Sequence, residues 1–283
     1  MKADLHLHTV ASDGRLEPSE LVSLAVKVGL DVIAITDHDS ISGIADAIAA
    51  AKAYPSLTVI PGVELSTDVP RGEVHVLGYF IDYTDRNLSF MLEGLRDSRQ
   101  GRALRMIAKL RDLGMEIQWQ RVLELAQNGS VGRPHIAQAL LEVGYVASLA
   151  EAFDKYIGRN GLAYAEREKM APAESVKLIT SARGLPVLAH PADIEDLDKL
   201  ISELLKTGLV GMEVYYAKYT SEIKNRLLTV AKRYKLITTG GTDYHHFEDG
   251  SETMMGEIQV PSQSVKQLFS RADKRNLDMI KGG

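Results

Sequence analysis

The sequence predicts an α/β fold that is built from strand–helix units and interrupted by one helical insertion. Three observations predict it: seven short runs rich in Val, Ile and Leu, helical patterns between most of these runs, and one long stretch with helical patterns but no convincing strand. Short apolar runs of this kind are typical of parallel strands covered on both faces. Their alternation with helices indicates βα units.

The elements follow one another in a regular order. Strands are predicted at residues 2–5, 31–36, 57–61, 73–80, 185–189, 210–214 and 236–239. Helices are predicted at residues 17–28, 44–53, 172–183 and 196–206, with a terminal helix after Ser262. The first helix has Pro18 in its first turn and ends at Gly29, a combination that marks helix boundaries. We therefore expect a main domain of residues 1–96 and 171–283, capped by a helical insertion of residues 97–170.

The composition excludes several classes of protein. The chain has 283 residues, 45% of them hydrophobic, which is enough for a sizeable core. It has no Cys, which excludes disulfides, thiolate metal sites and cysteine nucleophiles. The first ten residues are no signal peptide, and no apolar run approaches the roughly 20 residues of a membrane span, so we expect a cytoplasmic protein. The net charge of −5 gives no bulk attraction for an anionic substrate, so local cations would have to hold a phosphate.

Histidines and carboxylates cluster in and after the predicted strands. His6 and His8 are two residues apart in the first strand and therefore project to the same side, and Asp13 follows in a Ser-Asp-Gly turn. The other candidate ligands lie in or after later strands: His38, Glu64, His75, His190, Asp243 and His245. The carboxyl ends of barrel strands converge on one rim, where the active sites of α/β barrels lie.

Such a rim predicts a metal centre. Nine imidazoles and carboxylates would repel one another or lack partners unless cations bridged them. Histidine and carboxylate ligands without cysteine suit Mn, Fe or Zn. Two such metals roughly 3.5–4 Å apart polarise a phosphoryl group and generate hydroxide near neutral pH. A single histidine at a strand end is more often structural, so the prediction depends on the whole pattern and not on Glu64 or His75 alone.

The motifs DLHLHTVASDG, AITDHD, PGVE, AHP and GGTDYH, together with the lone His75, resemble those of the polymerase and histidinol phosphatase (PHP) superfamily. The resemblance covers about residues 1–96 and 171–260. It implies a distorted seven-stranded (β/α) barrel of TIM-like type that binds two to three divalent metal ions. It also implies a metal-dependent phosphoesterase in which hydroxide attacks phosphorus in line.

The resemblance implies three ligand sets on residues of this chain. One metal would be held by His6, His8, Glu64 and Asp243, a second by Asp13, His38 and His245, and a third by His75 and His190 with Glu64 bridging.

The insertion narrows the expected substrate. GRPHIA at residues 132–137 and YIGR at residues 156–159 resemble a subgroup of small PHP phosphoesterases that remove the 3′-phosphate of 3′,5′-bisphosphonucleotides. Some members also trim short RNA from the 5′ end. The resemblance implies that Arg133, His135 and Arg159 contact the substrate, and a guanidinium matches phosphate oxygens in shape and charge. The alternative for Arg133 is a structural role in a Gly-Arg-Pro turn at a helix start.

Three other functions compete with this interpretation. Histidinol phosphate is another substrate within the same family, but GRPHIA argues against it. A non-catalytic or proofreading PHP module and an amidohydrolase on a similar metal barrel are the others. The basic stripe of Arg102, Arg105 and Lys109 could attract a polyanion, but such a stripe is more often a solvated helix face.

Overall fold

A computed structural model describes residues 1–69, 72–127, 129–166, 170–246 and 253–281. Seven strands form one sheet in sequential order: β1 (Ala3–Leu7), β2 (Val32–Ile35), β3 (Thr58–Val69), β4 (Gly72–Tyr79), β5 (Leu185–Leu188), β6 (Gly211–Tyr216) and β7 (Ile237–Gly241). The two ends of the sheet meet, because Leu7 pairs with Tyr244 and the Asp243 amide donates to the His6 carbonyl at 3.0 Å. The sheet is therefore a nearly closed barrel, as predicted.

One strand runs against the others. β4 is antiparallel to both β3 and β5, whereas the remaining neighbours are parallel. β3 continues to Val69, well beyond its predicted end at Pro61, because β4 pairs with it along its length. The expectation of uniform βα units is wrong at this point. The reversal has a functional consequence: His75, in the middle of β4, lies beside Ser66 of the extended β3.

Eleven α-helices lie within the described residues. They are α1 (Pro18–Lys27), α2 (Ile44–Ala51), α3 (Arg86–Asp112), α4 (Trp119–Leu125), α5 (Arg133–Val143), α6 (Leu149–Ala152), α7 (Pro172–Ser181), α8 (Leu197–Leu205), α9 (Ser221–Tyr234), α10 (Ser262–Arg271) and α11 (Lys274–Lys281). Those predicted from the sequence begin and end within about three residues of the predicted positions. At the start of α1 the Glu20 carboxylate accepts from the Glu17 amide at 3.0 Å, half of a capping box.

The barrel strands are buried on both faces. In β2, Ile33 and Ile35 belong to an apolar cluster that also contains Leu21 of α1. Val32 and Ala34 project the other way, into a second cluster that reaches Leu268 of α10. This two-sided burial explains why the strands appear in the sequence as continuous apolar runs rather than alternating patterns.

The insertion has its own apolar cluster, which runs from Ala103 to Ala165. It is connected to the barrel through α3, a continuous helix of 27 residues. The first half of α3 contributes Leu88 and Leu92 to the barrel cluster, and its second half contributes Met106 and Leu110 to the insertion cluster. The expected boundary between residues 96 and 97 therefore falls inside a helix. The two clusters support our proposed division into barrel and insertion. Residues 128 and 167–169 of the insertion lie outside the described residues.

None of the helices in the described part of the chain combines the length and the apolar composition of a membrane span.

Candidate metal centre

The structure brings all nine predicted ligands together at one end of the barrel. They come from β1, β3 and β4 and from the segments that follow β1, β2, β5 and β7: His6, His8, Asp13, His38, Glu64, His75, His190, Asp243 and His245. β4 contributes His75 from the middle of the strand, and it runs in the opposite direction to its neighbours.

The first predicted ligand set is the most compact. The Nε2 atom of His6 lies 3.1 Å from Oε2 of Glu64 and 3.3 Å from Oδ1 of Asp243. The Nε2 atom of His8 lies 3.3 and 3.1 Å from the same two oxygens. One ligand atom from each of the four residues lies within 4.8 Å of the others. Two imidazoles and two carboxylates at this spacing can surround one divalent ion.

The second set surrounds Asp13. Its Oδ1 atom lies 3.4 Å from Nε2 of His245 and 3.7 Å from Nδ1 of His8, and its Oδ2 atom lies 3.9 Å from Nε2 of His38. These four residues also place one ligand atom each within 4.8 Å of the others. His8 therefore faces the first set with one ring nitrogen and the second with the other.

The third set depends on Glu64. Its Oε1 atom lies 2.8 Å from Nδ1 of His75 and 3.1 Å from Nε2 of His190. Its other oxygen lies 3.2 Å from Nδ1 of His38. The carboxylate of Glu64 thus contacts members of all three predicted sets, as a bridging ligand would.

Two buried polar atoms in this cluster are suited to binding a cation. Nε2 of His8 and Oδ1 of Asp13 are buried and lie 3.1–3.7 Å from other ligand atoms, yet neither makes a hydrogen bond of normal geometry within the described residues. Buried polar atoms in folded proteins are nearly always satisfied, so such atoms call for an explanation. Both point toward other ligand atoms rather than toward an apolar wall. The donor set therefore fits divalent metal ions.

The protonation states also suit metal binding. Burial by itself would raise the pKa of Glu64, but the surrounding imidazoles hold that pKa well below its usual range. The pKa values of Asp13 and Asp243 are likewise well below their usual range, for the same balance of causes. Burial, with a contribution from nearby Arg99, lowers the pKa of His38 to about 3. Ionised carboxylates and a neutral imidazole are the forms that bind metals. Burial alone would lower the pKa values of His6, His8 and His190, but neighbouring carboxylates raise them, so metal binding would displace protons from these rings.

An outer layer of hydrogen bonds orients the ligands. One oxygen of Glu213 on β6 lies 3.1 Å from Nδ1 of His6, and its other oxygen accepts from the His190 amide at 2.8 Å. Asp37 accepts from the Thr9 amide and from the Ser12 hydroxyl, both at 2.7 Å. A carboxylate on the second ring nitrogen fixes the tautomer and direction of a metal-binding histidine.

Sequence reasoning assigned no role to Glu213. Its signal is a single acid in the otherwise uncharged strand GMEVYY, and its side chain is fully buried. Charged residues are almost never fully buried without a partner, so an isolated acid in a predicted core strand indicates a functional or positioning role.

Three of the nine non-glycine residues with positive φ in the described part of the chain lie at the same end of the barrel. Asp39, His190 and Asp243 have φ values of 51°, 25° and 56°, in the left-handed region that side chains rarely adopt. Such strain clusters at functional sites and persists only where the surroundings hold it. Gly241 has a different constraint, because a Cβ atom there would lie 2.5 Å from the His6 amide nitrogen. Glycine at this position lets β7 approach β1 closely.

A cavity of about 700 Å³ separates the ligand cluster from the insertion. One wall contains Asp13, His75 and other predicted ligands. The facing wall comes from α3, α5 and the segment between α5 and α7. It contains basic and apolar side chains: Arg99, Arg102, Met106, Arg133, Ile136 and Phe153.

The three predicted substrate contacts lie in different environments. Arg133 lines the cavity, donates to Glu73 at 2.5 Å and lies over the ring of Phe153. His135 is buried, and its Nδ1 atom accepts from the Gly132 amide at 3.0 Å as the cap of α5. Arg159 follows a π-helical turn at Phe153–Ile157 and is not among the residues that line the cavity. Substrate contact by each of them stays a prediction.

Arg99 is a further residue that sequence reasoning missed. The apolar positions of α3 form one continuous stripe, and Arg99 occupies its middle. There the helix passes the metal centre, and Arg99 donates to Asp39 at 2.5 Å and also to the Ser66 hydroxyl. The signal was a lone arginine within an apolar stripe.

Two residues of the basic stripe of α3, Arg105 and Lys109, are exposed as expected, and the stripe also donates to backbone carbonyl groups. Arg105 and Lys109 donate to the carbonyl oxygens of Glu166 and Tyr164 at 2.6 and 2.5 Å. Arg102 donates to the Ala165 carbonyl at 2.9 Å but also lines the cavity. The stripe therefore binds residues 164–166 to α3 by hydrogen bonds, and Arg102 also reaches the candidate site.

Known proteins resemble this chain over most of its length. The PHP domain matches residues 4–247. A 5′-3′ exoribonuclease of Haemophilus influenzae is 33% identical over 86% of this chain and 90% of its own length. A 3′,5′-nucleoside bisphosphate phosphatase of Chromobacterium violaceum is 30% identical over 91% of this chain and 92% of its own.

The same agreement holds for the fold. A solved structure from Bifidobacterium adolescentis, assigned as a metal-dependent phosphoesterase, superimposes with a TM-score of 0.88. It is 30% identical in sequence, and the match covers 96% of each chain. The family that the motifs suggested is thus confirmed by sequence and by structure. The chain belongs to the PHP domain family and is a metal-dependent phosphoesterase.

Proposed function

We propose that this phosphoesterase removes the 3′-phosphate from a small 3′,5′-bisphosphonucleotide. The observation that carries the proposal is the cavity between the ligand cluster and the arginine-lined wall of the insertion. A substrate with two phosphates can place one at each wall. The similarity to a 3′,5′-nucleoside bisphosphate phosphatase over most of both chains supports the same substrate class.

The nine clustered side chains would hold two or three divalent ions, with Mn, Fe and Zn all compatible with the donors. His6, His8, Glu64 and Asp243 would hold one ion, Asp13, His38 and His245 a second, and His75 and His190 a third with Glu64 bridging. When bound, such ions supply Lewis acidity that activates water and neutralises charge on the phosphoryl oxygens.

The remaining side chains would bind and orient the substrate. Phosphoryl transfer depends mainly on positioning and on charge stabilisation. Arg133 would hold the phosphate that is not cleaved. Arg99 is fixed by Asp39 and Ser66 next to His38, where it adds positive charge to the reacting end of the cavity. Since Nδ1 of His135 accepts a backbone hydrogen bond, the neutral ring carries its proton on Nε2. This atom would donate to substrate, although His135 is buried and is not among the residues that line the cavity.

Trimming of short RNA is a second candidate, which the similarity to 5′-3′ exoribonucleases favours. The two reactions are chemically close. A 3′-phosphate and the first internucleotide linkage both contain an O3′–P bond, and its hydrolysis leaves a nucleoside 5′-monophosphate in both cases. One site that binds a 5′-phosphate and cleaves at O3′ could therefore perform both.

A panel of phosphate esters tests the proposal. The protein would be reconstituted with Mn and assayed for phosphate release from adenosine 3′,5′-bisphosphate, adenosine 3′-monophosphate, adenosine 5′-monophosphate and histidinol phosphate. Cleavage of 5′-phosphorylated RNA would be followed separately. We expect the highest kcat/KM for the bisphosphate. Preference for histidinol phosphate would instead assign the chain to the other branch of the family, and no turnover of any ester would contradict a phosphomonoesterase.

A further inference from the structure

One carboxylate on the cavity wall is shared by two arginines. Glu73, near the start of β4, directs Oε1 to Arg102 at 3.2 Å and Oε2 to Arg133 at 2.5 Å. Arg102 belongs to α3 and Arg133 to α5, so the carboxylate connects the barrel to both helices of the insertion. All three side chains line the cavity that also contains the predicted metal ligands.

Both guanidinium groups are held in place by other contacts as well. Arg102 lies 5.1 Å from the ring centre of Tyr164 and donates through Nε to the Ala165 carbonyl. Arg133 lies 5.6 Å from the ring centre of Phe153. Each guanidinium has five N–H donors, and these contacts leave several of them available. The arginines would therefore stay close to their positions if Glu73 lost its charge.

The charges of the three groups do not balance. The Glu73 carboxylate forms salt bridges with both guanidinium groups, and the pairing favours its ionised form. Two guanidinium groups and one carboxylate leave one net positive charge on this wall. Glu73 is two residues before His75 on β4, and the two side chains therefore project to the same side of the strand.

We propose that Arg102 and Arg133 form a subsite for the second, uncleaved phosphate. Glu73 is an internal counterion that competes with this phosphate for the two guanidinium groups. The inference deepens the proposed function and rests on it. A terminal phosphate monoester carries about −1.5 to −2 charges at pH 7, enough to use both arginines despite Glu73. A diester phosphate carries one negative charge and interacts less favourably with the two arginines. Glu73 therefore makes the subsite selective for terminal phosphates.

The kinetic test compares two substrates that share the cleaved phosphate. Adenosine 3′,5′-bisphosphate and adenosine 3′-monophosphate differ only in the 5′-phosphate, so the ratio of their kcat/KM values reports on the subsite. We expect Arg102→Gln to lower this ratio about tenfold, the usual effect of losing a charged hydrogen bond. Glu73→Gln should raise it several-fold. Arg105→Gln is the matched control, because Arg105 belongs to the same basic stripe but is not among the residues that line the cavity.

A binding test separates this proposal from the proposed function, because it needs no turnover. Calorimetry on the Mn-loaded protein would compare adenosine 5′-monophosphate with adenosine. The gain in affinity from the phosphate should fall in Arg102→Gln, rise in Glu73→Gln and stay unchanged in Arg105→Gln. Failure to cleave the bisphosphate would overturn the proposed substrate, but it would not affect the result of this binding measurement.

Two outcomes would overturn the subsite. An unchanged phosphate preference in Arg102→Gln would show that the second phosphate binds elsewhere. A lower preference in Glu73→Gln would show that Glu73 only supports the arginines and does not oppose the phosphate. Glu73→Met, which also removes the charge at similar size, provides a second variant if Glu73→Gln does not fold.

Discussion

At the scale of single residues, Glu64 is the most connected ligand of the centre. Its two oxygens lie within 3.3 Å of ring nitrogens of five histidines: His6, His8, His38, His75 and His190. Glu64→Gln keeps the shape but removes the charge that offsets the cations. We expect it to lower kcat/KM by more than about 100-fold, beyond the usual effect of an outer residue. Circular dichroism should show a retained fold; wild-type turnover would contradict the bridging role.

Glu213 should act on the metals without touching them. It contacts His6 and the His190 backbone, which belong to two different predicted ligand sets. Glu213→Gln cannot accept both hydrogen bonds, so we expect metal affinity to fall by roughly 10- to 100-fold. Chelator titration of the Mn-loaded protein measures this, with exposed Glu222→Gln as the control. Equal metal affinity in the two variants would make Glu213 a core residue only.

Arg133 tests the insertion wall. Arg133→Ala should weaken transition-state binding of the 3′,5′-bisphosphate by about 1.5–3 kcal/mol. The effect on the 3′-monophosphate should be smaller, since that substrate cannot use both walls. Kinetics on both substrates measure the difference. The control is Arg121→Ala, which removes an arginine from a surface salt bridge. Equal loss on both substrates, or none, would make Arg133 a structural turn residue.

At the scale of secondary structure, α5 has an unusual N-terminal cap. His135 is buried with a pKa of about 4, against an ordinary value of 6.5, chiefly because burial disfavours its charged form. The unfolded chain therefore takes up a proton first as the pH falls below 6.5, and this contribution to stability is lost between pH 6.5 and 4.

His135→Gln isolates this effect, because glutamine is a usual capping-box residue and does not titrate. The free energy of unfolding of the wild type should fall more steeply from pH 7 to pH 5 than that of His135→Gln. Denaturant titrations at both values measure it. Parallel pH dependence of the two proteins would show that His135 is not the titrating group.

The sequence predicts the positions of helices and strands better than the segments that they pair with or pack against. The strand containing His75 was predicted, but its reversed direction was not, because strand direction depends on pairing between distant segments. α3 was predicted only from residue 97, although it begins at Arg86. Its apolar stripe serves the barrel core first and the insertion core later, and a periodic pattern does not reveal which core it faces.

At the scale of the whole molecule, the predicted metal ligands lie in or directly after both the first and the last strands of the barrel, which lie side by side. The His-x-His and Asp-x-His spacings made the cluster predictable, because parallel strands bring their ends to one rim. The insertion was expected to cap that rim, but the contacts that Glu73, Arg99 and Arg102 make there could not be predicted. These contacts are set by tertiary packing rather than by local spacing.

We propose that the nine clustered residues hold catalytic metals. Elemental analysis of the purified protein, combined with activity before and after chelation, tests it most directly. We predict two or more equivalents of Mn, Fe or Zn in the wild type and fewer in Glu64→Gln. Activity should be lost in chelator and return when Mn is added. A metal-free protein that keeps full activity in chelator would show that the cluster does not hold catalytic metals.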